Sequence, residues 1–225
     1  MTSGPSPTPP ALGRRVLHRW ERFHHRTVHV PRVGRVAEAL AALVGTAESV
    51  CDVGCGDGTI AARVAAAVGA TRVVGVDVAM RETVGIEASV YDGRRLPFAD
   101  ASFEVVLASD VLHHAEDPGA LLAECLRVAR RAVALKDHLR FGPISERLLW
   151  LMDVSGNAAP GVLVRGRYLG LEQWLELVAG AGGRLRRITW PLRIHDLPWR
   201  LVTRSELQFA ALVEHAAPRR APEGG

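Results

Sequence analysis

The stretch Asp52-Val53-Gly54-Cys55-Gly56-Asp57-Gly58 sets glycines at alternate positions behind an acid and an apolar run. Glycine is entropically costly to order, so three together imply a tight turn or a ligand that approaches the backbone closely. Two more acids close later apolar runs: Asp77 follows Arg72–Val76 (RVVGV), and Asp92 follows Tyr91. A carboxylate can hold a cationic amine, accept bonds from ribose hydroxyls, or accept from an adenine amino group. Asp52, Asp77 and Asp92 suit those three partners in that order, with helix or turn capping as the plain alternative for Asp77 and Asp92. A pyrophosphate fits less well, because Asp52 would repel it. The dinucleotide fingerprint G-x-G-x-x-G would also place glycine where Thr59 stands. Both points count against NAD.

A second group of residues could move protons. His113 and His114 follow Phe103–Ser109 (FEVVLAS), and Lys136-Asp137-His138 follows Arg131–Leu135 (RAVAL). Histidine is the side chain that changes charge near neutral pH. One of the three histidines could act as a base toward an acceptor, or they could cap helices and stabilise the fold. Lys136 and Asp137 complete this candidate acceptor side. Lys136 suits a structural role or a carboxyl ligand better than a nucleophile.

These residues need elements to hold them. Val33–Val44 carries apolar residues at helical spacing, and Thr59–Val68 is an alanine-rich helix. Pro118–Ala129 and Leu171–Ala179 read as further helices, and residues 12–25 as a short one. Val50–Val53, Arg72–Val76, Ala88–Tyr91, Phe103–Ser109 and Arg131–Leu135 are short apolar strands between them. That alternation describes a mostly parallel sheet covered on both faces. Leu185–Trp190 and Glu206–Val213 could close it, giving a seven-stranded, Rossmann-like, doubly wound α/β fold. In such a fold the strand ends and helix N-termini form the ligand crevice. Residues 141–170 lack clear periodicity. Met152–Val162, with Tyr168 and Trp174 after it, reads as a lid over an acceptor or as an ordinary long connection. Trp150, Tyr168 and Trp190 could line the pocket or belong to the core.

At these positions the sequence resembles the class I S-adenosylmethionine-dependent methyltransferases. The motifs are Asp52–Gly58, Gly75-Val76-Asp77-Val78, Asp92–Phe98, Asp100–Val106 leading to Ser109–His114, and Asp117-Pro118 with Leu121–Val128. The resemblance spans roughly residues 35–138, and the motifs carry weight through their common order. It implies S-adenosyl-L-methionine as cofactor and methyl transfer by in-line displacement. Asp52 or the Gly54-Cys55-Gly56 backbone would hold the amino acid part. Asp77, with Val78 beside it, would hold the ribose; Asp92 and Gly93 the adenine; Ser109 and Asp110 the floor beneath the sulfonium. Two departures stand out: Asp57 replaces a usual neutral residue, and the short interval between Asp77 and Asp92 leaves little room for a helix after the second strand. A cyclase-like catalyst using the same cofactor is the alternative, and an NAD oxidoreductase a more distant one.

Bulk properties narrow the setting. The chain has 225 residues, of which 48% are hydrophobic, enough for one sizeable core. Its three cysteines, Cys51, Cys55 and Cys125, make no disulfide framework. Cys51 and Cys55 lack a second pair, so no metal is expected. There is no apolar run long enough for a membrane span and no apolar leader, so a cytoplasmic location is expected. The net charge is +4, with Lys136 the only lysine. An arginine- and histidine-rich beginning could be a basic arm, but no aromatic platform accompanies it, and a solvated helix face fits better. The expected partners are a small-molecule acceptor, no nucleic acid and no membrane, in a monomer or homodimer. The expected layout is a tail at 1–10, one domain at 11–215 and a tail at 216–225. Within the domain, helices occupy 11–45, the cofactor core 46–138, the acceptor or lid region 139–182 and closing strands 183–215.

Overall fold

A computed structural model describes residues 30–79, 85–157, 166–197 and 199–217. The expected helix at 12–25 and residues Met80 and Arg81 lie outside that set. In chain order the elements are α1 (Val30–Val44), β1 (Ser49–Val53), α2 (Thr59–Val68), β2 (Arg72–Asp77), β3 (Glu87–Val90) and β4 (Phe103–Ser109). They continue with α3 (Pro118–Val128), β5 (Ala129–His138), α4 (Pro143–Asn157), α5 (Leu171–Gly180), β6 (Gly183–Thr189), α6 (Trp199–Thr203) and β7 (Gln208–His215). One seven-stranded sheet results, in the order β3-β2-β1-β4-β5-β7-β6. The first five strands of that order run parallel, and β7 is antiparallel to both β5 and β6.

Strand alternation sorts the core into two layers. On β1, Val50 packs on one face with Leu40 and Val44 of α1 and Val64 of α2. Cys51 and Val53 face the other way, toward Leu122 and Leu126 of α3 and Trp174 and Val178 of α5. β5 repeats the division, with Ala132 and Ala134 on the first face and Val133 and Leu135 on the second. Strands buried on both faces are apolar at most positions, which is why the sequence shows short continuous apolar runs rather than alternation. Burying each of the larger side chains removes it from water and stabilises the fold by about 1.5–3 kcal/mol.

Two elements differ from expectation. β5 runs on beyond Leu135 through Lys136, Asp137 and His138, because those residues stay in register with Ala210, Phe209 and Gln208 of β7. His138 therefore sits on a strand, not in the loop after it. Residues 143–157, read as irregular, form α4. Leu149 and Asp153 lie one turn apart on it, and both are buried. Much of the lid segment is thus helical, and residues 158–165 lie outside the described set. Among the described residues, no helix is long and apolar enough to cross a membrane.

Candidate active site

The glycine loop links β1 to α2. Gly54 has φ 70°, and a Cβ there would fall 2.2 Å from Cγ2 of Val111, so the left-handed backbone and the close approach both demand glycine. Gly58 caps α2 with φ 74°, and a Cβ there would fall 2.8 Å from Cγ1 of Ile86. The loop is tied to β2 three times: the Gly54 and Cys55 N–H groups donate to the Val76 carbonyl at 2.7 and 3.1 Å, and the Gly56 N–H donates to Asp77 Oδ2 at 2.9 Å. Asp57 accepts from the Thr59 N–H at 3.0 Å. An acid there faces the first turn of α2, where the helix dipole favours negative charge.

Asp52 is 3% exposed, and its Oδ1 has no hydrogen-bond partner. Burial, with the Asp77 and Asp57 carboxylates nearby, pushes its pKa up to about 8. An unpartnered buried carboxyl is costly, and an ammonium donor would relieve it. Asp92 is held differently: its Oδ1 accepts from the Arg94 and Arg95 N–H groups at 2.8 and 2.9 Å. Those bonds keep its pKa low and make it the organiser of its own turn. Gly93 has φ 77°, and Val78 lies against it.

β4 and β5 supply the second half of the site. Ser109 ends β4, and its buried hydroxyl has no partner. Asp110 follows with φ 57°, and its carboxylate binds Lys136 Nζ at 2.5 Å and also Arg32 of α1. Burial raises the Asp110 pKa, but the Lys136 and Arg32 charges outweigh it and hold the group ionised. His113 and His114 lie on a 3₁₀ turn, Leu112–His114. Nδ1 of His113 donates to Asp137 Oδ1 at 2.7 Å, and that oxygen also accepts from the His138 N–H at 2.7 Å. Asp153 of α4 lies 3.5 Å from Nε2 of His113 and 3.4 Å from Nε2 of His114. Tyr168 donates its hydroxyl to Asp153 Oδ2 at 2.8 Å.

This network corrects several expectations. Lys136, Asp137 and Tyr168 were read as substrate contacts, but they are 1%, 1% and 4% exposed, each bonded to a carboxylate or a histidine. They hold other side chains in place. His113 was one of three candidate bases; burial lowers its pKa, but Asp137 and Asp153 raise it to about 10. Burial and the Lys136 charge instead lower the His138 pKa to about 4. Trp174 is core, donating its ring N–H to the His138 carbonyl at 2.9 Å. Trp150 and Trp190 are about half exposed. The sequence reading missed Arg32 and Asp153. Arg32 was lost in the arginine-rich beginning, and the signal for Asp153 was its helical spacing from Leu149. A small apolar pocket lies apart from this chemistry, between α5 and the β6–β7 edge, lined by Leu175, Ile188 and Phe209 among others.

Residues 51–135 match the model of the methyltransferase domain family. The fold is similar to that of a chain in the complex between the Haloferax volcanii Trm112 methyltransferase activator and its candidate methyltransferase. The TM-score is 0.66 at 16% identity, covering 89% of this chain and 95% of that one. An S-adenosylmethionine-dependent methyltransferase from Thermotoga maritima gives 0.56 at 18% identity, over 90% of this chain and 97% of that one. The cyclase SpnF gives 0.57 at 19%, over 81% and 80%. The unpartnered Asp52 carboxyl, the glycine loop and the acid at the end of β2 fit S-adenosylmethionine, the cofactor of that family. With its matched stretch at residues 51–135 and its seven-stranded sheet, the chain has the fold of the class I S-adenosylmethionine-dependent methyltransferases and is similar to them over that stretch.

Proposed function

We propose that the chain methylates a small-molecule acceptor by in-line displacement. The observation that carries this reading is the cluster of three histidines with Asp110 and Asp137 at the carboxyl ends of β4 and β5 and Asp153 of α4, beside the strand ends that suit the cofactor. When bound, S-adenosylmethionine supplies a methyl group already activated by its sulfonium. The chain's own task is then to align the acceptor and exclude water, and such positioning can supply about 7–11 kcal/mol.

In this reading Asp52 and the Gly54–Gly56 backbone hold the amino acid end of the cofactor. Asp77 takes the ribose, with Val78 at its edge. Asp92 orders the turn whose Gly93 backbone borders the adenine. Ser109 and Asp110 form the floor. His138 takes the proton of a hydroxyl acceptor. Its Nδ1 lies 3.5 Å from Asp137 and 3.7 Å from Asp110, so those carboxylates favour the Nδ1–H tautomer and leave the lone pair on Nε2. Three free, buried cysteines are consistent with a reducing, cytoplasmic compartment.

The test is incubation of the full chain with S-adenosylmethionine and a panel of small hydroxyl, amine and carbon acceptors, read by mass spectrometry. The expected product is heavier than its acceptor by one CH₂. A converted acceptor of unchanged mass would replace this reading with a non-methylating, cyclase-like catalyst.

A further inference from the structure

Asp153 stands opposite both His113 and His114 at ion-pair distances longer than a good hydrogen bond. The separations are 3.5 Å from His113 Nε2 to Asp153 Oδ2 and 3.4 Å from His114 Nε2 to Asp153 Oδ1. Good hydrogen bonds of this kind are about 2.7–3.2 Å long. Two donor atoms sharing a tetrahedral ion, each about 2.0–2.2 Å from it, stand about 3.3–3.5 Å apart. The ligand atoms of His113, His114 and Asp153 all lie within 4.8 Å of one another.

The outer partners of a metal site are also present. Asp137 accepts the Nδ1 proton of His113 at 2.7 Å, which turns that ring's Nε2 toward Asp153. Nε2 of His113 is buried and has no hydrogen-bond partner. Tyr168 fixes one oxygen of Asp153 at 2.8 Å. Carboxylate and hydroxyl partners of this kind set the tautomer and aim of metal ligands. The rival trio of Asp110, His113 and His138 is disfavoured, because Asp110 already holds the charges of Lys136 and Arg32.

We propose that His113, His114 and Asp153 bind one divalent transition-metal ion of the zinc type, leaving a coordination position for an oxygen of the acceptor. Two imidazoles and a carboxylate with an open position match catalytic rather than structural zinc. The acceptor class narrows to molecules that offer a hydroxyl or carboxylate oxygen. This inference rests on the proposed methyl transfer for its use of the ion, though not for the binding itself.

The full chain would be stripped with a chelator, then titrated with zinc chloride by calorimetry. Visible absorption after loading with cobalt(II) would report the geometry, and cofactor binding would be measured on the same samples. The expected result is one ion per chain, weakened more than about a hundredfold in Asp153→Asn and His114→Gln and about tenfold in Tyr168→Phe. His215→Gln, on the far end of β7, should bind as wild type does. S-adenosylmethionine should bind Asp153→Asn as tightly as wild type, which shows the variant folded. A wild type that binds the cofactor but no ion, or an Asp153→Asn protein that keeps its ion affinity, would overturn the site and leave the methyltransferase reading intact.

Discussion

Asp137 accepts the Nδ1–H of His113 at 2.7 Å, and both side chains are 1% exposed. The bond joins β5 to the 3₁₀ turn after β4, and so fixes how the two halves of the acceptor side meet. Asp137→Asn keeps the shape and removes the charge. Breaking a buried ion pair from one side costs about 3–5 kcal/mol. For a chain of this size that lowers Tm by about 6–20 °C. Thermal unfolding checks this, and cofactor affinity should change little.

Asp52 should make the protein pH-sensitive. Its pKa is 3.8 ordinarily and about 8 in the fold, so the native state keeps a proton that the unfolded chain loses. Stability of the cofactor-free protein should therefore fall as pH rises from about 4 to about 8. Asp52→Asn should flatten that slope and bind S-adenosylmethionine more weakly. In wild type, an ammonium facing Asp52 favours its carboxylate, so cofactor binding should release a proton. Calorimetry in buffers of different ionisation heat measures that release directly.

Gly54→Ala should fail for two separable reasons. A left-handed φ strains any side-chain-bearing residue by about 1–3 kcal/mol, and the new Cβ would meet Val111 at 2.2 Å. Val111→Ala in the same chain should restore the packing part and leave the backbone part. Denaturant unfolding of the single and double variants separates them.

His138→Gln should lower turnover of a hydroxyl acceptor by about 10²–10⁴-fold while the cofactor dissociation constant stays within about twofold. Equal losses in turnover and in cofactor binding would assign His138 a structural role instead.

How much of this was legible in the sequence follows from range. The glycine loop, the acids at the strand ends and α2 at Thr59–Val68 are local, and the chain displays them through spacing alone. The inner strands were likewise visible, because strands buried on both faces read as apolar runs, whereas β3 and β6 are largely exposed edge strands. The acceptor side was not. His113 and His114 could be named, yet the carboxylates they pair with, Asp137 and Asp153, belong to other elements. Lys136 and Asp137 looked like substrate contacts because polar residues after an apolar strand usually face a cleft. Pairing with β7 instead carries the strand past them and buries both. Cysteine spacing said nothing about an ion, since the proposed ligands are two histidines and an acid from a helix read as a loop. Arg32 reaches Asp110 across 78 positions of chain, a contact no local pattern reports.

The central claim is that the glycine loop and Asp77 hold S-adenosylmethionine. A calorimetric titration of wild type and Asp77→Ala with that cofactor, with NAD as comparison, tests it most directly. Charged hydrogen bonds are worth about 1.5–3 kcal/mol, so Asp77→Ala should bind about 10–150-fold more weakly, and NAD should give no heat. A wild type that ignores S-adenosylmethionine, or an Asp77→Ala protein that binds it undiminished, would contradict the account.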